Sequence, residues 1–307
     1  MTQEHLAAAA AGGLAALLLW KRCCWKRESE RVNVVHVPAS GDVKEKKTVI
    51  VMIPGMWHGA WYFKTLQTLL SKRGFSSYAL DLPSARGCFA AELLRRAVSA
   101  LTELRQLGQL QQVVLLGHSQ GGILLQTLLR GTALEDASLH VQGAVLSATV
   151  PISSLGAGMA MMSHKTNVFK EYGLVAFVYY LFTGRVWDAS LVQRLFLLPT
   201  TEAVEGFDGG KAKYVEKILA APCDGWPTTE HPFWLRPSFA HRASLPVLVL
   251  GAEEDVIYPP RLLNPIFHRY FPCATERIVP NQAHCFIDPG WQETMVEPLI
   301  QWLDSIQ

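Results

Sequence analysis

The sequence predicts an α/β fold: a mostly parallel central sheet with helices on both faces. Three observations lead there. Short, β-branched apolar runs alternate with stretches of helical periodicity from Thr48 to Ser147, and again from Pro246 to Ile306. Those runs are apolar almost throughout, which suits strands buried on both faces rather than half-exposed ones. The alternation breaks once, between Pro151 and about Arg242, over a stretch of about ninety residues that is too long for a simple crossover.

The elements follow in order. Val32–Val37 reads as a first strand, and the polar, charged Ser40–Lys47 as a turn region. Thr48–Ile53 is a continuous apolar strand ended by Pro54-Gly55. Ala60–Lys72 carries Trp61, Phe63, Leu66, Leu69 and Leu70 at helical spacing. Ser76–Leu82 is the next strand. Ala90–Leu107 is a helix with Leu93, Leu94, Ala97, Leu101 and Leu104 on one side. Gln112–Leu116 and Gly121–Leu129 form a strand and a helix, followed by strand Val141–Ser147. After the interruption come strand Pro246–Leu250, a helix around Pro259–Tyr270, strand Thr275–Val279 and helix Trp291–Ile306. The interruption, at about 151–242, holds helical pieces at Thr166–Phe182, Ala189–Leu197 and Ala212–Leu219, and reads as an inserted helical cap. In such sheets ligands bind outside the carboxyl ends of the strands.

Composition excludes several classes. Of 307 residues, 50% are hydrophobic and 18% charged, too apolar for a disordered chain. The net charge of +2 resides in Lys21, Arg22, Lys26 and Arg27. The body has no basic face for nucleic acid. Six cysteines (Cys23, Cys24, Cys88, Cys223, Cys273, Cys285) form no Cys-x-x-Cys pair, and no metal-ligand spacing or phosphate-cradling loop is present. No cofactor is implied.

Residues 1–30 form a leader ahead of the folded domain at 31–307. Leu6–Trp20 lacks any charged or polar side chain. As a helix it reaches roughly 22 Å, short of a hydrocarbon core of about 30 Å. Glu4 precedes the run and the four basic residues follow it. That order is unlike a secretory signal, and it suggests an uncleaved anchor with the body on the cytosolic side. A cleaved organelle-targeting leader is the alternative. Cys23 and Cys24 lie where acylation is often found.

The chemistry centres on Val113–Gly122, which contains Gly117-His118-Ser119-Gln120-Gly121. A Gly-x-Ser-x-Gly pattern between an apolar strand and an apolar helix fits a turn sharp enough to strain the serine backbone. Small residues two before and two after let the helix close on the strand. Such a turn frees the Ser119 hydroxyl at the amino end of a helix, where developing negative charge is favoured. A serine needs a base to take its proton, and the chain offers ten histidines. Gly251–Asp255 places Glu253, Glu254 and Asp255 directly after a strand as acids able to orient that base.

These segments resemble the α/β-hydrolase superfamily, in its esterase and lysophospholipase-like branch. The likeness runs from about Val49 to Leu303 and rests on Pro54–Trp61, Gly117–Gly122, Pro246–Asp255, Ala283-His284 and Pro289–Trp291. It implies a serine–acid–histidine order along the chain. His284, in the loop after the last predicted strand, then becomes the base and Asp255 the acid. His268 reads as a surface or packing residue, and His118 as packing beside the nucleophile. Asp81 reads as a turn residue, and Asp288 as a helix cap. The resemblance also implies backbone oxyanion donors at Gln120 and Met56. Where the family usually carries His-Gly, this chain has Pro54-Gly55, so the shape of that loop is open. His58 and Trp57 are candidate substrate contacts, with bracing of the loop an equal alternative for His58.

The implied reaction is ester hydrolysis through an acyl-enzyme on Ser119. An acyltransferase using the same triad, a hydroxynitrile-lyase-like enzyme and a non-catalytic binding protein are the alternatives. Leu174–Phe182 is apolar almost all round, and Met159, Met161 and Met162 lie near it. A lid of that kind suggests a lipid-like or long-chain ester partner. The oligomeric state is open. The leader generates a prediction: the full chain sediments with membranes, and a chain starting at Arg31 is soluble and retains the activity. Fractionation followed by amino-terminal sequencing checks it; full-length protein in the soluble fraction, or a mature terminus after Trp20, counts against the anchor.

Overall fold

The computed structural model describes residues 32–82, 90–152, 186, 188–204, 209–221 and 244–306. Its centre is a seven-stranded sheet in the order β1-β3-β2-β4-β5-β6-β7. The strands are β1 Asn33–Val37, β2 Thr48–Ile53, β3 Ser77–Asp81, β4 Gln112–His118, β5 Val141–Ser147, β6 Val247–Ala252 and β7 Thr275–Val279. Only β1 runs antiparallel, against β3; every other pairing is parallel. The expected α/β fold is therefore present, with β2, β3 and β4 crossing over in the sense that places β2 beside β4.

Alternation along the strands divides the core in two. Successive side chains of a strand point to opposite faces. Val51, Ile53, Val113, Leu115 and Leu146 meet one set of helices. Ile50, Met52, Val114, Leu116 and Val145 meet the other. On the first face lie α2 (Ala90–Gln106), α3 (Gln120–Arg130) and α7 (Pro260–Phe267), through Leu101, Leu125 and Phe267. On the second lie α1 (Lys64–Lys72), entered through a tight turn at Ala60–Phe63, and α8 (Glu297–Ser305), through Leu70 and Leu303. Each fully buried leucine contributes about 1.5–3 kcal/mol. A short helix, α4 (Ala133–Asp136), was not anticipated from the apolar spacing, because one turn is too short to show a period. The helix expected from Trp291 opens with one wide turn, Gln292–Val296, before α8 begins at Glu297, with Pro298 in its first turn.

Between β5 and β6 the described residues hold two helices, α5 (Ala189–Phe196) and α6 (Gly210–Ala220), and no strand. Asp188 caps α5 by accepting from the Leu191 amide at 2.8 Å. The two helices form a third apolar cluster with the loops after β2, β6 and β7, in which Leu195, Phe196, Tyr214 and Ile218 meet Trp57, Ile257 and Ile287. The leader, the helical piece at 166–182 and the methionines at 159–162 lie outside the described residues. Among the described residues no helix is long and apolar enough to cross a membrane.

The sheet brings the loops after β2, β4, β6 and β7 to one edge. Ile53 pairs with Gly117, His118 with Ser147, Ser147 with Leu250, and Ala252 with Val279. Close packing at that edge depends on glycine. A Cβ on Gly121 would lie 2.2 Å from the Ile53 carbonyl oxygen and 2.6 Å from that of Pro54. On Gly117 it would lie 2.5 Å from the Gly121 oxygen. These neighbours are backbone and cannot yield as a side chain would. Gly121→Ala is therefore expected to destabilise by the upper part of the about 1–3 kcal/mol typical of overpacking. That amounts to a melting point lower by about 3–5 °C. Gly131, where the nearest atom would be 3.8 Å away, is the control; thermal denaturation of both alanine variants checks the difference, and equal melting points would refute it.

Candidate active site

Ser119 sits at the junction of β4 and α3 with φ 53° and ψ −120°. A non-glycine residue at positive φ is strained, and here the surroundings hold it there. The Ser119 amide donates to the Ser147 carbonyl at 2.9 Å. Its carbonyl accepts from the Thr149 hydroxyl at 2.7 Å and from the Gly122 amide at 2.9 Å. The strained peptide is thus pinned from β5 on one side and α3 on the other. The hydroxyl is left facing the loops at the sheet edge.

His284 reaches it. Its Nε2 lies 2.9 Å from Ser119 Oγ, and its Nδ1 lies 2.8 Å from Asp255 Oδ2. A carboxylate only accepts, so Nδ1 carries the proton and Nε2 presents a lone pair to the serine hydroxyl. The other oxygen, Asp255 Oδ1, accepts from the amides of Ile257 and Tyr258, both at 2.8 Å. Its orientation is therefore fixed by the backbone of its own turn. Of the three consecutive acids after β6, Asp255 is the one turned inward. Glu253 pairs with Arg261 at 2.9 Å, and Glu254 is exposed. Asp255 and His284 are 3% and 1% exposed. In so dry a setting their interaction is stronger than the same pair in water.

The loop bearing His284 is shaped by its own backbone. Asn281 and Phe286 have φ of 51° and 45°, and so turn the chain sharply on either side of the histidine. His118, the last residue of β4, donates from Nε2 to the His284 carbonyl at 3.0 Å. It is buried and held neutral, its pKa pushed well below the usual range by burial. The packing role expected for His118 thus includes one specific bond to the histidine loop. Tyr62 adds a second, from its hydroxyl to the Cys285 carbonyl at 2.5 Å.

Asp288 corrects an expectation. Its side chain does not cap the helix that follows. Oδ2 accepts from the Ala283 amide at 3.1 Å, and Oδ1 accepts from the Leu198 amide at 3.3 Å and from the Thr201 hydroxyl. The carboxylate is fully buried and joins the His284 loop to the segment after α5. In a linear sequence Asp-Pro before a helix signals a cap; one competing amide, that of Leu198, comes from 90 positions away, which no local pattern discloses. Asp81, read as a turn residue, accepts from the Ala60 amide at 3.1 Å. His268 is half-exposed and pairs with Glu276.

The β2 loop completes the group. The His58 amide donates to the Gly55 carbonyl at 3.3 Å, which closes a tight turn with Trp57 at φ 64°. Met56 and Gln120 face a shared crevice with Pro54, Leu82, Leu93 and Leu124. The Gln120 amide is the first of α3, where helix geometry offers it no partner four residues back. The Nε2 of the Gln120 side chain is buried without a hydrogen-bond partner. Of the two expected substrate contacts, His58 lines this crevice and Trp57 does not: Trp57 packs edge-on against Phe196, and both ring nitrogens of His58 are engaged, Nδ1 with the Met56 carbonyl at 2.8 Å and Nε2 with the Tyr214 hydroxyl at 3.1 Å. Burial lowers the His58 pKa to about 3, so it is neutral at pH 7. Tyr214 and Cys285, which meet His58, went unnoticed in the sequence. Tyr214 shares its helix stripe with Val215 and Ile218, and nothing in that spacing marks a polar contact. Among the described residues no cluster of three or more side chains has the makeup of a metal site.

Comparison with known proteins bears on the whole chain. A model of the alpha/beta hydrolase family matches residues 50–295. No curated protein matches the chain in sequence. Solved structures share the fold at low identity. An esterase from Thermogutta terrifontis is 16% identical with a TM-score of 0.57, covering 90% of this chain and 93% of its own. A bromoperoxidase from Bacillus anthracis is 14% identical at 0.58, covering 89% and 96%. A soluble variant of monoglyceride lipase from Saccharomyces cerevisiae is 14% identical at 0.59, covering 90% and 92%. The family match spans both strands that precede the β2 and β4 loops and both loops that carry Asp255 and His284, and on that extent the chain belongs to the alpha/beta hydrolase family.

Proposed function

We propose that the chain is a serine hydrolase of carboxylic esters that works through an acyl-enzyme on Ser119. One observation carries the reading: the Ser119–His284–Asp255 relay, with hydrogen bonds of 2.9 and 2.8 Å. His284 takes the hydroxyl proton as Ser119 Oγ attacks the ester carbonyl carbon. Asp255 steadies the imidazolium that forms. The amides of Gln120 and Met56 receive the negative charge that develops on the carbonyl oxygen. Collapse expels the alcohol, which takes the proton from His284. Water, deprotonated by His284, then cleaves the acyl-enzyme and regenerates the serine.

The apolar crevice beside Gln120 and Met56 is suited to the acyl part. Leu82, Leu93 and Leu124 line it, next to the amides assigned to the oxyanion. An ester with a substantial apolar chain fits such a wall better than a small polar one. The likeness to a monoglyceride lipase is in keeping with this preference. Anchoring by the leader would bring the crevice to a lipid surface, and we propose it as the arrangement of the full chain.

Two measurements test the reading. Ser119→Ala is expected to abolish labelling by a fluorophosphonate and to lower ester turnover by at least about a thousandfold, as triad members act as a unit. His284→Ala should do nearly the same, and Asp255→Asn should leave a folded protein with the wrong histidine tautomer. Labelling that survives Ser119→Ala would end the proposal. Across p-nitrophenyl esters, each buried CH₂ adds up to about 0.8 kcal/mol, so kcat/KM should rise from acetate towards octanoate. A steady fall beyond butyrate would instead mark a small-ester esterase.

A further inference from the structure

The Tyr214 hydroxyl stands where three segments meet. Tyr214 lies in the middle of α6, in the insertion between β5 and β6, and is 1% exposed. Its oxygen is 3.1 Å from His58 Nε2 and 3.2 Å from Cys285 Sγ. His58 belongs to the β2 loop, two residues after Met56; Cys285 follows His284 directly. A single hydroxyl of α6 therefore touches both loops that flank Ser119.

Proton accounting fixes the His58 end of this cluster. The Met56 carbonyl can only accept, so His58 Nδ1 carries the ring proton in their 2.8 Å bond. His58 Nε2 is then an acceptor, with the Tyr214 hydroxyl at 3.1 Å and the Cys285 thiol at 3.6 Å as the donors in reach. The Tyr214 hydroxyl also lies in donor geometry to Cys285 Sγ at 3.2 Å, so phenol, thiol and imidazole close a triangle. The result is one cluster of neutral groups, thiol, phenol and imidazole, tied to the Met56 carbonyl through His58 Nδ1. That carbonyl belongs to the residue whose amide is assigned to the oxyanion. All four groups are buried, and a buried polar group left without its partner is costly.

A second tie runs in parallel. The Ala283 amide is held by Asp288, which also receives the Leu198 amide and the Thr201 hydroxyl. His284 thus lies between two residues, Ala283 and Cys285, each linked to the segment between β5 and β6. The sheet sets the root of the His284 loop; its crest is braced by that insertion together with His118 and Tyr62.

We infer that Tyr214 is a positioning residue: its hydroxyl holds the oxyanion loop, through His58 and Met56, and the base loop, through Cys285, in the mutual geometry that acyl transfer requires. The inference rests on the Ser119 reading above. Tyr214 touches no reacting atom. Its effect falls on the transition state, since the Met56 amide is needed when charge reaches the carbonyl oxygen and little before.

The test is Tyr214→Phe in the full chain, which keeps the ring and removes the hydroxyl. Loss of an oxyanion donor typically costs about 10²–10³ in kcat, so displacing one should cost about ten- to a hundredfold, with KM little changed. A merely structural residue would lower the melting point without changing how the enzyme ranks ground-state and tetrahedral ligands. Binding of an aryl trifluoromethyl ketone, which forms a tetrahedral adduct with the serine, should weaken in step with kcat. Binding of the matching non-electrophilic alcohol should not. In a His58→Asn background, where the acceptor for the phenol is gone, Tyr214→Phe should add little through the β2 loop. Should Tyr214→Phe not fold, Cys285→Ala removes only the thiol from the cluster. It is expected to lower kcat less, at unchanged KM. Parental kcat and parental ketone affinity in either folded variant would overturn the inference, provided Ser119→Ala is inactive. Turnover that survives Ser119→Ala would instead show that the acyl-enzyme reading had failed, and the inference with it.

Discussion

The geometry of this molecule depends on one strained peptide. Ser119 at φ 53° is held by bonds to Ser147, Thr149 and Gly122, and by α3 pressed against the carbonyls of Ile53 and Pro54. Strain of this kind costs about 1–3 kcal/mol and persists only where packing over-determines it. Here the packing is backbone against backbone, made possible by Gly117 and Gly121. The same contact sets the depth of the β2 loop, because Gly121 approaches the two residues that begin it. Ser119, the proposed nucleophile, and the proposed oxyanion loop are therefore not placed independently; one close approach fixes both.

Around that peptide the sheet supplies coarse placement and buried hydrogen bonds supply the fine placement. Parallel pairing brings the ends of β2, β4, β6 and β7 to one edge with a fixed register. From there Asp255 is oriented by two amides of its own turn, and the His284 loop by His118, Tyr62 and Asp288. Most of these partners are neutral, and none needs an ion pair exposed to solvent. A site held by buried neutral bonds is little affected by salt, since screening acts on exposed charges.

Much of the fold was legible in the sequence, for a clear physical reason. Strands covered on both faces must be apolar throughout, so β2, β4, β5 and β6 show as unbroken runs, and amphipathic helices such as α2 show their stripe. The Gly117–Gly121 spacing is visible because only glycine tolerates the contacts it makes. The relay partners are visible because chain order and strand ends narrow the choice; between Glu253, Glu254 and Asp255 the resemblance decides, and the coordinates turn Asp255 alone towards His284. The bracing residues were not legible. Asp288 sits in a pattern that locally means a helix cap, and Tyr214 in a stripe that locally means core. Their partners come from distant parts of the chain, and side-chain bonds of that range leave no period behind. Leu174–Phe182 and the leader lie outside the described residues, so the apolar lid remains a reading of the sequence.

The insertion between β5 and β6 has a consequence for how such enzymes diverge. A segment that only covered a pocket would be free to change with the substrate, leaving the chemistry intact. In this chain the same segment carries the Tyr214 hydroxyl and receives the Asp288 carboxylate on either side of His284. Exchange of the insertion with that of a relative would transplant part of the support of His284, the proposed base, along with the rest of the segment. On the proposed function, a change in that segment would bear on substrate range and on the support of the base together.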